Sequence, residues 1–114
     1  MKVLIAEDDF ASRKFMLRFF EKYGECDVTV DGKEAVEAYK MAIECGEPYD
    51  LICLDIMMPE MDGLEVCRSV RADELISHVP IIVITAKVTD ADRVKGLEAG
   101  ADAVEFLSGF GGEL

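Results

Sequence analysis

The chain has 114 residues, 51% of them hydrophobic, with 24 acids against 12 bases and a formal net charge of −12. That length makes one domain with a modest core, and the charge repels nucleic acid and anionic membranes, leaving proteins and cations as expected partners. No apolar run approaches a membrane span, the first residues lead into acids rather than a signal-peptide cleavage region, and Cys26, Cys45, Cys53 and Cys67 lack CxxC spacing, which together point to the cytosol and to reduced, structural thiols.

Lys2 to Ala6 reads as a short apolar strand running into Glu7-Asp8-Asp9. Three adjacent acids repel one another, so this is either a solvated turn that caps the next helix or a place where a cation sits. Apolar residues then recur at helical spacing from Phe10 to Tyr23, with Phe15, Met16, Phe19 and Phe20 on one side and Gly24 closing the helix. Cys26 to Val30 is a second strand. Asp31-Gly32 opens a second helix to about Glu44, its buried stripe Ala35, Val36, Tyr39 and Ile43. Gly46 and Pro48 break the chain before Leu51-Ile52-Cys53-Leu54, a strand buried on both faces that ends in Asp55 and a loop with Pro59 and Gly63. Leu64 to Ala72 is helical, with Leu64, Cys67, Val70 and Arg71 at helical intervals. His78, ahead of Pro80, is a surface residue with no role. Ile81 to Ile84 is a fourth strand ending in Thr85-Ala86; Thr89 to Ala99 is a helix ended by Gly100; Ala103 to Leu107 is a fifth strand. Residues 108–114 form a Gly-rich tail too short for a full helix.

Alternating helices and continuous apolar strands specify an α/β fold, a doubly wound five-stranded parallel sheet with helices on both faces. The carboxyl ends of strands one, three and four then carry Glu7-Asp8, Asp55 and Thr85, at the crevice where open parallel sheets bind ligands. Each taken alone has an ordinary capping or turn role; their convergence is what points to a site. Clustered carboxylates without imidazole or thiolate are hard oxygen ligands suited to Mg²⁺. A carboxylate beside that ion stays ionised and can attack phosphorus, with the Thr85 hydroxyl placed to donate to a phosphoryl oxygen.

AEDD at 6–9, LDIMMPEMDG at 54–63, ITA at 84–86 and EAGADA at 98–103 stand in the order and spacing of a known family. The chain resembles a response-regulator receiver domain of bacterial two-component signalling, of the chemotaxis-receiver kind. The resemblance implies a flavodoxin-like strand order 2-1-3-4-5. It makes Asp55 the phosphoacceptor and assigns Mg²⁺ to Glu7, Asp8, Asp55 and the Met57 backbone carbonyl. Asp8 is the direct ligand of the acid pair and Glu7 acts through water; a slip of one position would bring Asp9 into the pair. Thr85 corresponds to the switch hydroxyl, and Ala86 leaves room for its loop to approach. The implied partner is a sensor histidine kinase or phosphotransfer protein carrying phosphohistidine. The chemistry is the domain's own phosphorylation and dephosphorylation rather than turnover of a substrate.

The sequence departs from the family at its end. Receivers carry a lysine at the end of strand five; here no lysine follows Lys95, and Leu107 or, with a small insertion, Gly109 takes that place. A charge-assisted contact of about 1.5–3 kcal/mol is thereby lost; Lys87, close after Thr85, is a partial substitute. The aromatic switch position of strand five falls on Val104 or, in the shifted register, Phe106. The family's fifth helix is missing or altered, so the domain is expected over 1–107 with 108–114 a short tail. The Phe15, Phe19, Phe20 stripe is expected to be partly bare, because the product is cut short or because a second copy in a homodimer, an exchanged segment or a partner covers the face; a shortened or altered end with self-association is preferred. Two functions follow: a phosphorylatable receiver that switches a protein-binding surface, or a pseudo-receiver interaction module with an impaired phosphorylation response. An aspartyl phosphatase is disfavoured, because its second acid, two residues on, is here Met57.

Overall fold

The computed structural model describes residues 1–58, 60–85 and 90–106, apart from the side chains of Thr85, Asp90 and Phe106. Five strands, β1 (Lys2–Ala6), β2 (Glu25–Thr29), β3 (Leu51–Asp55), β4 (Ile81–Thr85) and β5 (Ala103–Phe106), form one parallel sheet in the order β2-β1-β3-β4-β5. Between them run α1 (Phe10–Phe20), α2 (Gly32–Glu44), α3 (Gly63–Ala72) and α4 (Asp90–Glu98). This is the flavodoxin-like 2-1-3-4-5 arrangement that the family resemblance implies.

Strand alternation sorts the core into two layers. Leu4, Ala6, Ile52, Leu54, Ile81 and Val83 meet Ala35, Tyr39 and Ala42 of α2, Val66, Cys67 and Val70 of α3, and Val104 of β5. On the opposite face Val3, Ile5, Cys53 and Ile84 meet Met16 and Phe20 of α1. Each of the first three helices starts on an aspartate whose carboxylate accepts an amide of the first turn: Asp9 from Ser12, Asp31 from Glu34 and Asp62 from Glu65.

Several expectations need correcting. Helix α1 ends at Phe20, capped by Glu21, and Gly24 does not terminate it in the left-handed conformation. A Cβ on Gly24 would instead lie 1.9 Å from the Met1 carbonyl oxygen, the group that accepts the Glu25 amide as β2 begins to pair with β1. In α2 the deeply buried position is Ala42 rather than Ile43, and Val36 and Ile43 lie at the margin. Of the aromatic stripe, Phe15 and Phe19 are partly exposed as expected, whereas Phe20 is 5% exposed, with Phe19 edge-on to it at a centroid separation of 5.0 Å. Gly100 does end α4 as expected, at φ +107°. On β5, Val104 is buried and pairs with Val83, and Phe106 pairs with Thr85. Leu107, the tail 108–114, Ala86 and Lys87 lie outside the described residues.

Candidate functional site

The sheet register brings the acids together. Ala6 of β1 is level with Leu54 of β3, so the next residue of each strand, Glu7 and Asp55, emerges side by side at the carboxyl end of the sheet. Glu7 is anchored by its amide, which donates to the Thr29 carbonyl at 3.0 Å. One carboxylate oxygen each from Glu7, Asp8 and Asp55 lie within 4.8 Å of one another, with Glu7 buried, Asp55 half-buried and Asp8 exposed. Asp9 is elsewhere engaged: its Oδ2 accepts the Ser12 amide at 2.9 Å and caps α1. The capping reading of the acidic run therefore holds for Asp9, and the pair facing Asp55 is Glu7 and Asp8.

Three like charges in so small a volume raise one another's pKa unless a cation joins them. Burial, then a hydrogen bond to Asp55 and the charges of Asp55 and Asp8, push Glu7 up to about 9. Burial also raises Asp55, opposed by hydrogen bonds from Glu7 and from the Met57 amide. Without a metal, a proton on Glu7 is thus shared toward Asp55. Among the described residues no ion pair neutralises the three carboxylates. The donor set is all oxygen and of the hard type that Mg²⁺ prefers, so the residues present fit that ion.

The loop after Asp55 is held by close backbone contacts. A Cβ on Gly63 would lie 2.1 Å from the Asp55 carbonyl oxygen, and one on Gly32 would lie 1.8 Å from that of Met61. The Gly63 amide donates back to Ile56 at 3.0 Å, and the Ile56 amide donates across to Ile84 of β4 at 3.1 Å. Between these clamps Glu60 stands at φ 69°, a left-handed conformation that a residue with a side chain adopts at a cost. Met57 offers its amide to Asp55 and is itself 78% exposed. Thr85 is the last residue of β4, one beyond the Ile84 that pairs with Asp55. Ala86 and the position expected for a strand-five lysine lie outside the described residues.

Arg13 belongs to this site and was not expected there. From the first turn of α1 its Nη1 donates to the Glu7 carbonyl at 3.1 Å and the Asp8 carbonyl at 3.3 Å. Its sequence position four after Asp9 is the only signal for that contact, and helical spacing reads it simply as a solvated face.

The family described as the response regulator receiver domain matches residues 3–107. The chain is 45% identical over 103 residues to the transcriptional regulatory protein YclJ of Bacillus subtilis, covering 90% of this chain and 42% of that protein. It is 39% identical over 102 residues to the response regulator ArlR of Staphylococcus saprophyticus, covering 89% of this chain and 43% of that protein. The chain thus spans about two fifths of the length of these curated relatives. Among solved structures, the receiver domain of Francisella response regulator 1452 matches with a TM-score of 0.76 at 31% identity, over 92% of this chain and 82% of that one. The chemotaxis protein CheY4 of Vibrio cholerae matches with a TM-score of 0.80 at 26% identity, over 90% and 82%. With its four motifs, its strand order and its acidic cluster in place, the chain belongs to the family of response regulator receiver domains.

Proposed function

We propose that this domain accepts a phosphoryl group on Asp55 from a phosphohistidine of a sensor kinase or phosphotransfer protein, with Mg²⁺ held by Glu7, Asp8 and Asp55, and that acceptance switches a protein-binding surface. The observation that carries the reading is the convergence of three carboxylates within 4.8 Å at the carboxyl ends of β1 and β3. The Met57 amide donates to the Asp55 carboxylate and helps orient it. An Asp55 oxygen attacks phosphorus, the bond from phosphorus to the donor imidazole nitrogen breaks, and the imidazole leaves with its electron pair and takes a proton from water. When bound, the ion supplies charge neutralisation at the phosphoryl oxygens and keeps the carboxylates ionised. Thr85, at the end of the neighbouring strand, is the residue that would sense the new group through its hydroxyl. Met57 would turn its carbonyl to the ion, and Ala86 would leave the switch loop room.

Receiver domains are signalling domains rather than enzymes with a turned-over substrate. Named relatives such as YclJ are called transcriptional regulators and are more than twice as long as this chain. For this domain, a net charge of −12 favours a protein partner over nucleic acid. No helix among the described residues is long and apolar enough to cross a membrane. The interaction-module alternative rests on the absence of a lysine after Lys95.

Beryllium trifluoride, a non-covalent phosphoryl mimic, tests the reading in solution. With Mg²⁺ it is expected to shift the backbone amide resonances of residues 55–57 and 84–85. Chelator or Asp55→Asn should abolish those shifts; folded wild type that shows none would overturn the proposal.

A further inference from the structure

An arginine usually earns its place through a carboxylate, yet Arg13 donates to two main-chain carbonyls, those of the very residues whose side chains face Asp55. Two consecutive carbonyls pinned by one guanidinium fix the peptide planes on both sides of the Asp8 Cα, and so the directions in which the Glu7 and Asp8 side chains leave the chain. The far side of the guanidinium is covered by Phe10, whose ring centroid is 5.6 Å from Cζ and whose side chain is otherwise 70% exposed. That contact explains why a large apolar residue stands in water beside the acids: it shields and orients the clip. Asp9 anchors the other end of the same turn through Ser12.

We infer that Arg13, backed by Phe10, is a positioning residue that presets the Glu7-Asp8 turn for a divalent cation. The inference rests on the metal-binding reading above. It has a direction that simple electrostatics would reverse. A cation near the site repels a second cation, so loss of its charge alone would tighten metal binding, whereas loss of the clip loosens it because the turn must then be ordered on binding. The guanidinium is half-exposed and screened, so the ordering effect dominates.

Mn²⁺ is a suitable probe, because the signal of the free ion in electron paramagnetic resonance reports binding without any phosphoryl chemistry. Arg13→Ala, Arg13→Lys, Phe10→Ala and, as a charge control on the same helix, Lys14→Ala are compared with wild type well below their melting temperatures. Arg13→Ala should bind about 5- to 10-fold more weakly and Phe10→Ala about 2- to 3-fold more weakly. Arg13→Lys, which keeps the charge but not the fork, should fall between Arg13→Ala and wild type. Lys14→Ala should stay within about twofold, and the Arg13→Ala deficit should persist at 0.5 M salt, where a through-space charge effect is screened. Binding by Arg13→Ala equal to or tighter than wild type, or a deficit shared by Lys14→Ala, would overturn the inference alone. Failure of wild type to bind Mn²⁺ would overturn the proposed function and this inference with it. If Arg13→Ala does not fold, Phe10→Ala, which removes an exposed ring, decides the matter by the same criteria.

Discussion

The two ends of the sheet are built on opposite principles. At the amino end several charged side chains are tied into hydrogen bonds. Arg71 reaches from the end of α3 to the carbonyls of Gly100, Ser77 and Val79, and to Asp102 at 2.8 Å. Asp102 in turn accepts the Ile81 amide at 2.8 Å as β4 begins. Nearby, Tyr49 donates to Asp27 at 2.7 Å, and the Lys2 amide donates to Asp50 at 2.8 Å. At the carboxyl end three carboxylates crowd together, a glutamate sits at positive φ, and Arg13 beside them binds main chain. Like charges that face one another at one end of a fold are an arrangement that a bound cation would relieve.

Breaking the amino end should cost the most stability. Arg71→Ala strands three carbonyls and Asp102, and is expected to lower the unfolding free energy by about 3 kcal/mol while leaving Mg²⁺ affinity unchanged. Urea unfolding followed by far-ultraviolet circular dichroism reads the first, and calorimetric titration the second. Gly63→Ala should come next. Its methyl group would meet the Asp55 carbonyl, so about 2 kcal/mol is lost and, unlike Arg71→Ala, metal affinity falls with it.

Relieving the carboxyl end should do the reverse. In chelator at pH 8, Glu7→Gln is expected to be more stable than wild type by about 1 kcal/mol. The sign follows from the raised pKa. The folded state keeps Glu7 protonated up to about 9, whereas the unfolded chain releases that proton near the ordinary 4.5. Wild-type metal-free stability therefore declines as pH rises from 4.5 toward 9, and the advantage of the glutamine should shrink as pH falls toward 5. Saturating Mg²⁺ should reverse the ranking, because wild type keeps the ligand. The smallest effect concerns the thiols. Cys45 is exposed and should react first with a disulfide reagent at pH 8. Cys26 should follow slowly, its thiol raised by burial and by Glu21 and Asp27. Cys53 and Cys67, buried with raised pKa, should react only on unfolding.

Strand ends and helix starts are legible in this sequence because apolar runs and Asp caps are local signals. The strand order that sets Glu7 beside Asp55 comes from the family resemblance, and with it the acidic cluster is legible too. What escapes are the side-chain contacts to main-chain carbonyls and the close backbone approaches. Arg13 and Arg71 bind carbonyls, which leave no mark on side-chain periodicity, and Arg71 is read merely as a residue at helical spacing. Gly24 fails in the same way, since its reason is the approach of Met1 and not the end of a helix. The acidic triplet is ambiguous by composition alone and divides only when Ser12 claims Asp9.

The most direct test is intact-protein mass spectrometry of wild type and Asp55→Asn after incubation with acetyl phosphate, each with Mg²⁺ and with chelator. A single phosphoryl adduct on wild type that needs both Mg²⁺ and Asp55 is the expected result. Folded wild type that binds Mg²⁺ yet gains no adduct, or an adduct that survives Asp55→Asn, would contradict the assignment of the carboxyl end as a phosphoacceptor site.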